Sequence, residues 1–166
     1  MRFPFIHSAA PEEELVSLLM QKNYRICCAE SCTGGLLAAS IVNVPNASSV
    51  LDVSFVTYAN EAKISCLSVD PDTIAEHGVV SSEVAAQMAA GAAARANAQV
   101  GVGISGIAGP SGGTKEKPVG MVCFGFWVNG RQKTVTRYFG SIGRNRVRRA
   151  SVNFAIRFLC RMLSEE

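Results

Sequence analysis

Three features of the sequence carry residue types suited to bond-making chemistry: a serine beside a glycine pair, an isolated lysine and a long glycine-rich loop. Ser31 stands in AESCTGG, residues 29–35, where a short apolar run gives way to Thr33, Gly34 and Gly35. A sharp strand-to-helix junction of this kind offers a hydroxyl and backbone N–H groups that take negative charge, from a phosphate or from a developing oxyanion. A serine hydroxyl attacks a carbonyl only when a positioned base removes its proton. A neutral lysine can be that base when burial or neighbouring charge lowers its pKa from about 10.4. Lys63 is the candidate partner of Ser31, but their spacing leaves contact between them to the fold, and Ser31 equally suits a helix cap. The loop GIAGPSGGTKEKP spans 106–118.

Other chemistries are short of parts. Only two histidines occur, His7 and His77, so neither a histidine base nor a multi-histidine metal site is expected. Six cysteines, at 27, 28, 32, 66, 123 and 160, never form CxxC or a Cys/His cluster with metal-ligand spacing. They read as small buried thiols, with Cys27 and Cys28 facing opposite ways from one strand. Cys32 beside Ser31 has no histidine near it in the motif, which disfavours a cysteine nucleophile. The carboxylates are scattered, and neither metal nor cofactor is expected. Residues 101–106, GVGISG, match GxGxxG, but Pro110 and further glycines follow where a dinucleotide site needs a helix to begin. GGTKEKP lacks the GxxxxGK[ST] spacing of a phosphate loop. Tyr58 and Lys63, four residues between them, do not align as in short-chain dehydrogenases.

These residues must be carried by a fold, and the apolar pattern predicts one. Pro11 followed by Glu12, Glu13 and Glu14 opens a helix over 11–22 with a Leu15, Leu18, Leu19 stripe. A buried strand follows at 25–29, then a helix at 36–42, and a strand over 53–58. Asn60 is placed to cap a short helix containing Lys63, and Pro71 to open another over 71–76. The alanine-rich stretch 81–96 is the clearest helix, and its small side chains permit close packing. A buried strand at 99–105 leads into the glycine loop. Strands at 119–128 and 131–139 meet at Asn129-Gly130, a strong hairpin signal. A terminal helix over 143–163 carries Val147, Ala150, Phe154, Phe158 and Met162 as its apolar stripe. The expected class is α/β: a three-layer α/β/α domain with a mixed sheet covered on both faces. Residues 1–10 are expected to be a flexible segment and 11–166 one domain, since no repeat or linker supports a second.

Apolar residues make up 48% of the 166 and charged residues 17%, with apolar runs broken well before the roughly 18 residues of a membrane span. The N-terminus lacks an apolar stretch with a cleavage site, so no membrane partner and a cytoplasmic location are expected. Charge is uneven. Residues 117–164 hold ten bases and no acid, while residues 1–116 hold eleven acids and six bases. A local anion-binding surface follows, for which a mononucleotide phosphate needs only one or two arginines.

The strings 29–35 (AESCTGG), 56–63 (VTYANEAK), 77–81 (HGVVS) and 105–120 (SGIAGPSGGTKEKPVG) resemble, in order and identity, the successive motifs of the C-terminal domain of the CinA competence/damage-inducible family. The likeness runs from about Glu12 to Leu163, and the pairing of the first and last strings is highly specific. It includes the stand-alone nicotinamide-nucleotide amidases, whose form a chain without the N-terminal domain of full-length members matches. The resemblance implies deamidation of nicotinamide mononucleotide to nicotinate mononucleotide and ammonia in pyridine-nucleotide recycling. Ser31 is then the nucleophile, Lys63 its base, and Tyr58 and Ser105 line the reaction centre, with backbone amides around Thr33 and Gly34 receiving the oxyanion. Glu30, Thr33, Gly34 and Gly35 are then counted with the substrate-binding residues, Glu30 orienting local backbone or Lys63 unless it serves a plain structural salt bridge.

On the same resemblance, loop 106–118 forms part of the nucleotide pocket. Gly106, Ala108, Gly109, Gly112 and Gly113 let backbone approach the substrate, and Thr114 and Lys117 reach ribose or phosphate. Arg144 and Arg148, four apart on one helix face, complete a phosphate clamp. This sequence has Gly140-Ser141-Ile142-Gly143 before Arg144, where many relatives have a compact Gly-Asp-Arg turn, which leaves Arg146 as a substitute. The expected partners are a pyridine mononucleotide and a second copy of the chain, a dimer being favoured. Two other classes stay open: a noncatalytic nucleotide-binding module, and a competence-linked protein that binds nucleic acid through its basic C-terminal segment. Nucleic acid is not expected as the primary ligand.

Overall fold

Pro11 at the first helical position and the Glu13 carboxylate, which accepts the Ala10 N–H at 3.2 Å, start helix α1, Pro11–Lys22. The computed structural model describes residues 10–166, so most of the expected flexible segment 1–10, with His7, lies outside the described residues. Strand β1, Ile26–Glu30, leads to α2, Leu36–Val42, and a short 3₁₀ turn, Ala47–Ser49. Then come β2, Phe55–Val56; α3, Asn60–Leu67; α4, Pro71–His77; and α5, Ser82–Ala96, capped by the Ser81 hydroxyl. Strands β3, Val100–Gly106, β4, Met121–Val128, and β5, Arg131–Tyr138, precede the last helix α6, Arg144–Ser164.

The sheet order is β2-β1-β3-β4-β5, parallel among the first three strands and antiparallel from β3 to β5. Asn129 and Gly130, both at positive φ (46° and 86°), make the hairpin turn between β4 and β5. Alternation along β1 sends Ile26 and Cys28 to one face, with α1, α2 and α6, and Cys27 and Ala29 to the other, with α3 and α5. The expected three-layer arrangement with a mixed sheet is therefore the one found.

The glycines of GVGISG have a packing role. A Cβ at Gly101 would overlap the Ala89 carbonyl of α5, and one at Gly103 or Gly125 the Ala85 carbonyl. Bare backbone on β3 and β4 lets the alanine-rich helix lie directly on the sheet, which positions the loop preceding it.

Two local expectations are corrected. The strand expected over 53–58 pairs only at Phe55 and Val56: at one end the Ser54 hydroxyl accepts the Cys28 N–H at 3.2 Å, and at the other the Thr57 and Tyr58 carbonyls accept Lys63 Nζ. Asn60 does not cap α3: Ala59 occupies the cap position and Asn60 is the first helical residue. No helix among the described residues is long and apolar enough to cross a membrane.

Candidate active site

The site begins where parallel strands end. After Glu30 the chain leaves β1, with the Ser31 N–H still donating to the Ile104 carbonyl of β3 at 3.0 Å. The following turn needs positive φ at Gly34 (58°) and Gly35 (93°). Glu30 is fully buried, and its carboxylate accepts the N–H groups of Gly35, Leu37 and Ala38 at 3.1, 3.0 and 2.9 Å. It thereby fixes the start of α2 relative to β1.

Lys63 reaches the turn from the first half of α3. Its side chain is only 1% exposed, and Nζ lies 3.2 Å from Ser31 Oγ, 2.8 Å from the Thr57 carbonyl and 3.4 Å from that of Tyr58. Burial lowers its pKa from the ordinary 10.5, against smaller opposing effects of Cys32 and Glu61. A neutral amine has two N–H bonds and one lone pair. Nζ donates to Ser31 Oγ and to both carbonyls; in the neutral form, with the carbonyls holding both N–H bonds, the lone pair would be left to the Ser31 hydroxyl, the arrangement a general base requires.

A cavity of about 180 Å³ opens over this pair. Tyr58, Ser105, Gly106, Ala108 and Arg144, all named from sequence, line it together with Ser31 and Lys63. Arg144 Nη2 donates to the Tyr58 phenol oxygen at 2.8 Å and Nη1 to the Gly109 carbonyl at 2.9 Å. Ser105 Oγ donates to the Val79 carbonyl at 2.7 Å, bracing the wall formed by Val79 and Val80. A larger groove of about 300 Å³ between α1, α2 and α6 is separate from the serine–lysine pair.

Several expected site residues are not at the cavity. Glu30 is consumed by the α2 amides and makes no contact with Lys63. Thr33 is fully buried, and Gly34 and Gly35 serve the turn. The Gly34 N–H donates to the Ser31 carbonyl at 3.1 Å and is unavailable to an oxyanion; the N–H groups of Cys32 and Thr33 meet no backbone acceptor among the described residues. Gly112, Gly113 and Thr114 lie outside the cavity lining in an exposed loop, where Thr114 Oγ1 accepts the Lys117 N–H at 3.0 Å. Lys117 Nζ is bound to the carbonyls of His77 and Val80, at 2.5 and 2.7 Å, so it ties loop to cavity wall. Arg148 is held by the Cys32 and Thr33 carbonyls, and Arg146 is exposed at the surface. Arg144 alone of the three arginines lines the cavity.

Asn60 is the polar residue that sequence reading missed. It lines the cavity beside Tyr58, and only the offset between a cap and a first helical position separated it from the site. Cys32 also lines the cavity, but burial pushes its thiol up to about 12, so it is protonated and a poor nucleophile near neutrality.

Residues 8–163 match the family of the CinA C-terminal domain. The chain belongs to that family. It is 46% identical over 152 residues to a competence-damage inducible protein of Alkaliphilus metalliredigens and 45% identical over 152 residues to a CinA-like protein of Kosmotoga olearia. Both matches cover 92% of this chain but 37% of the relative, so the chain spans little more than a third of those proteins. Among solved structures, a CinA superfamily protein from Klebsiella pneumoniae superposes with a TM-score of 0.90 at 32% identity, covering 94% of this chain and 97% of that one. A competence/damage inducible protein from Agrobacterium tumefaciens gives 0.86 at 38% identity, covering 94% and 97%. The CinA fold thus extends over nearly the whole chain and brings together Ser31, Lys63, Tyr58, Ser105 and Arg144.

Proposed function

We propose that this CinA domain is an amidohydrolase that converts nicotinamide mononucleotide to nicotinate mononucleotide and ammonia. The observation that carries the reading is the buried Lys63 amine, 3.2 Å from Ser31 Oγ and anchored on two backbone carbonyls. Ser31 Oγ attacks the carboxamide carbon while Lys63 takes its proton, and charge develops on the carboxamide oxygen beside the Cys32 amide. Collapse breaks the C–N bond. The proton on Lys63 passes to the departing ammonia, directly or through the Tyr58 phenol, whose oxygen accepts from Arg144, so that the lysine is neutral again. Water activated by the neutral lysine then cleaves the acyl-serine ester and restores the hydroxyl.

The cavity supports a small aromatic amide as the reacting end. Its volume is below the roughly 300–1,000 Å³ of sites that enclose a drug-sized ligand, so it accommodates the ring and carboxamide and leaves the phosphoribosyl group at the mouth, beside Arg144. The test is ammonia release from nicotinamide mononucleotide and from free nicotinamide, by wild type and Ser31→Ala, with mass spectrometry for a nicotinoyl group on Ser31 after rapid quenching. The reading expects turnover of the nucleotide well above that of the free base, and its near-abolition in a folded Ser31→Ala protein. Near-native turnover without the serine hydroxyl would remove Ser31 from the mechanism.

A further inference from the structure

The Arg148 guanidinium lies beneath the nucleophile turn, with both of its productive edges on backbone. Nε donates to the Cys32 carbonyl at 3.1 Å and Nη2 to the Thr33 carbonyl at 2.9 Å, while Nη1 rests on Asn145 Oδ1 at 3.2 Å. It projects from the first turns of α6, which the buried Val147 and Ser151 seat against the core. Gly34 leaves the slot for it: a Cβ there would stand 3.3 Å from Arg148 Nη2.

Peptide geometry makes this contact consequential for chemistry on the far side of the turn. A carbonyl and the N–H of the next residue belong to one planar trans unit and point in opposite directions. Holding the Cys32 carbonyl therefore fixes where the Thr33 N–H points. Holding the Thr33 carbonyl likewise fixes the Gly34 N–H, whose bond to the Ser31 carbonyl, 3.1 Å, fixes the Cys32 N–H in turn. The Cys32 N–H, next to the nucleophile and at the cavity wall, meets no backbone acceptor among the described residues. A cation on the carbonyl oxygen also polarises the unit and strengthens its N–H as a donor.

We propose that Arg148 is a positioning residue: it orients and polarises the 31–34 turn so that the Cys32 amide, at the cavity wall, receives the oxyanion formed on attack by Ser31. It acts through backbone, without touching substrate, and so takes a different role from Arg144, with which it was paired as a phosphate clamp. The proposal rests on the serine-hydrolase reading of the site but not on the identity of the amide.

A fluorophosphonate probe tests it independently of the natural substrate. Ser31 Oγ forms a bond to phosphorus, fluoride leaves, Lys63 takes the hydroxyl proton, and the phosphoryl oxygen occupies the place of the oxyanion. The rate of Ser31 labelling, followed by intact mass and peptide mapping, is measured for wild type, Arg148→Met, Arg148→Lys and, as a control, Arg149→Met. Removing one oxyanion donor outright costs about 10²–10³-fold, so a misoriented turn should slow labelling by about tenfold or more in Arg148→Met. Arg148→Lys, with a charge but a single donor head, should fall between; added guanidinium at non-denaturing concentration should recover part of the methionine variant's rate, and Arg149→Met should label like wild type. With nicotinamide mononucleotide, kcat should fall while KM stays within about twofold.

Labelling of folded Arg148→Met within about twofold of wild type overturns the proposal, as does a loss that guanidinium leaves untouched. If the methionine variant does not fold, Arg148→Lys decides: an unchanged labelling rate counts against the role and a partial loss supports it. Arg148-dependent labelling in a protein that releases no ammonia would sink the amidase reading and leave the positioning role standing. Wild type that never labels at Ser31 would defeat both.

Discussion

Replacing Lys63 by methionine keeps an apolar stem in the core and removes the amine that contacts Ser31 Oγ and the Thr57 and Tyr58 carbonyls. Loss of a general base lowers turnover by about 10²–10⁴-fold. The same substitution makes a separate claim about stability. Burial holds the folded-state pKa of Lys63 below its ordinary 10.5. At pH below both values, folded and unfolded chains both carry the charge, and the folded state bears the full cost of burying it. Between the two values the unfolded chain holds the extra proton, so stability rises with pH by up to about 1.4 kcal/mol per pH unit. Above the unfolded value the cost is gone. Lys63→Met deletes this dependence. It also leaves two buried carbonyls without their donor, a loss of about 1–3 kcal/mol at every pH, so the slope and not the offset is diagnostic. Urea denaturation of both proteins at intervals from about pH 7 to about pH 10 should show wild type gaining on the variant as pH rises. Parallel curves would mean that Lys63 keeps its proton in the folded state, and wild-type-like turnover in the variant would mean that no lone pair is needed. Either result refutes the assignment of Lys63 as base.

Arg144→Met should cut kcat/KM for nicotinamide mononucleotide by roughly 10–100-fold, the worth of a charge-assisted hydrogen bond, while leaving the slow reaction of free nicotinamide nearly unchanged; steady-state ammonia release with both substrates checks it. Cys32→Ala should retain most of the turnover, because a thiol pushed up to about 12 supplies no thiolate near neutrality, and its loss of activity would reopen the cysteine reading. Gly103→Ala should destabilise the fold by about 1–3 kcal/mol, since its methyl group meets the Ala85 carbonyl of α5; a urea midpoint equal to wild type would contradict that close approach.

Much of this fold was legible because its signals are local. Pro11 with three glutamates, the Ser81 cap, the alanine run and Asn129-Gly130 each mark an element boundary by their own backbone preferences, and the observed bounds fall within a few residues of those expected. Ser31 and Lys63 were singled out for a different reason: among sixteen serines and five lysines, these two stand in strings that resemble the CinA motifs, and the fold then places their side chains 3.2 Å apart. The misplacements share a cause. Lys117, Arg148 and Glu30 are charged residues near the motifs, and charge suggests a ligand. Their actual partners are backbone groups, the carbonyls of His77, Val80, Cys32 and Thr33 and the amides of α2. Backbone acceptors and donors exist at every position and leave no mark in a sequence. The short β2 belongs with these misplacements: past its end the Thr57 and Tyr58 carbonyls accept Lys63 Nζ.

The sheet explains why these particular residues meet. Strand order β2-β1-β3 sends the chain from β1 first to one side and later to the other, and such a reversal opens a crevice at the carboxyl ends of parallel strands. Ser31 follows β1, Thr57 and Tyr58 follow β2, and Ser105 and Gly106 end β3, so all three strands deliver their last residues to one crevice. A crevice alone does not hold a reactive turn still. Two opposite charges do so here from the same face of the sheet: Glu30 gathers the N–H groups of residues 35, 37 and 38, and Arg148 gathers the carbonyls of residues 32 and 33. Once one charge has taken the donors beyond the turn and the other its carbonyls, the Ser31 hydroxyl is left to Lys63 Nζ and the Cys32 amide to the cavity wall. On the proposed amidase reading those are the groups that acyl transfer uses, and charged side chains, rather than a ligand, satisfy the backbone around them.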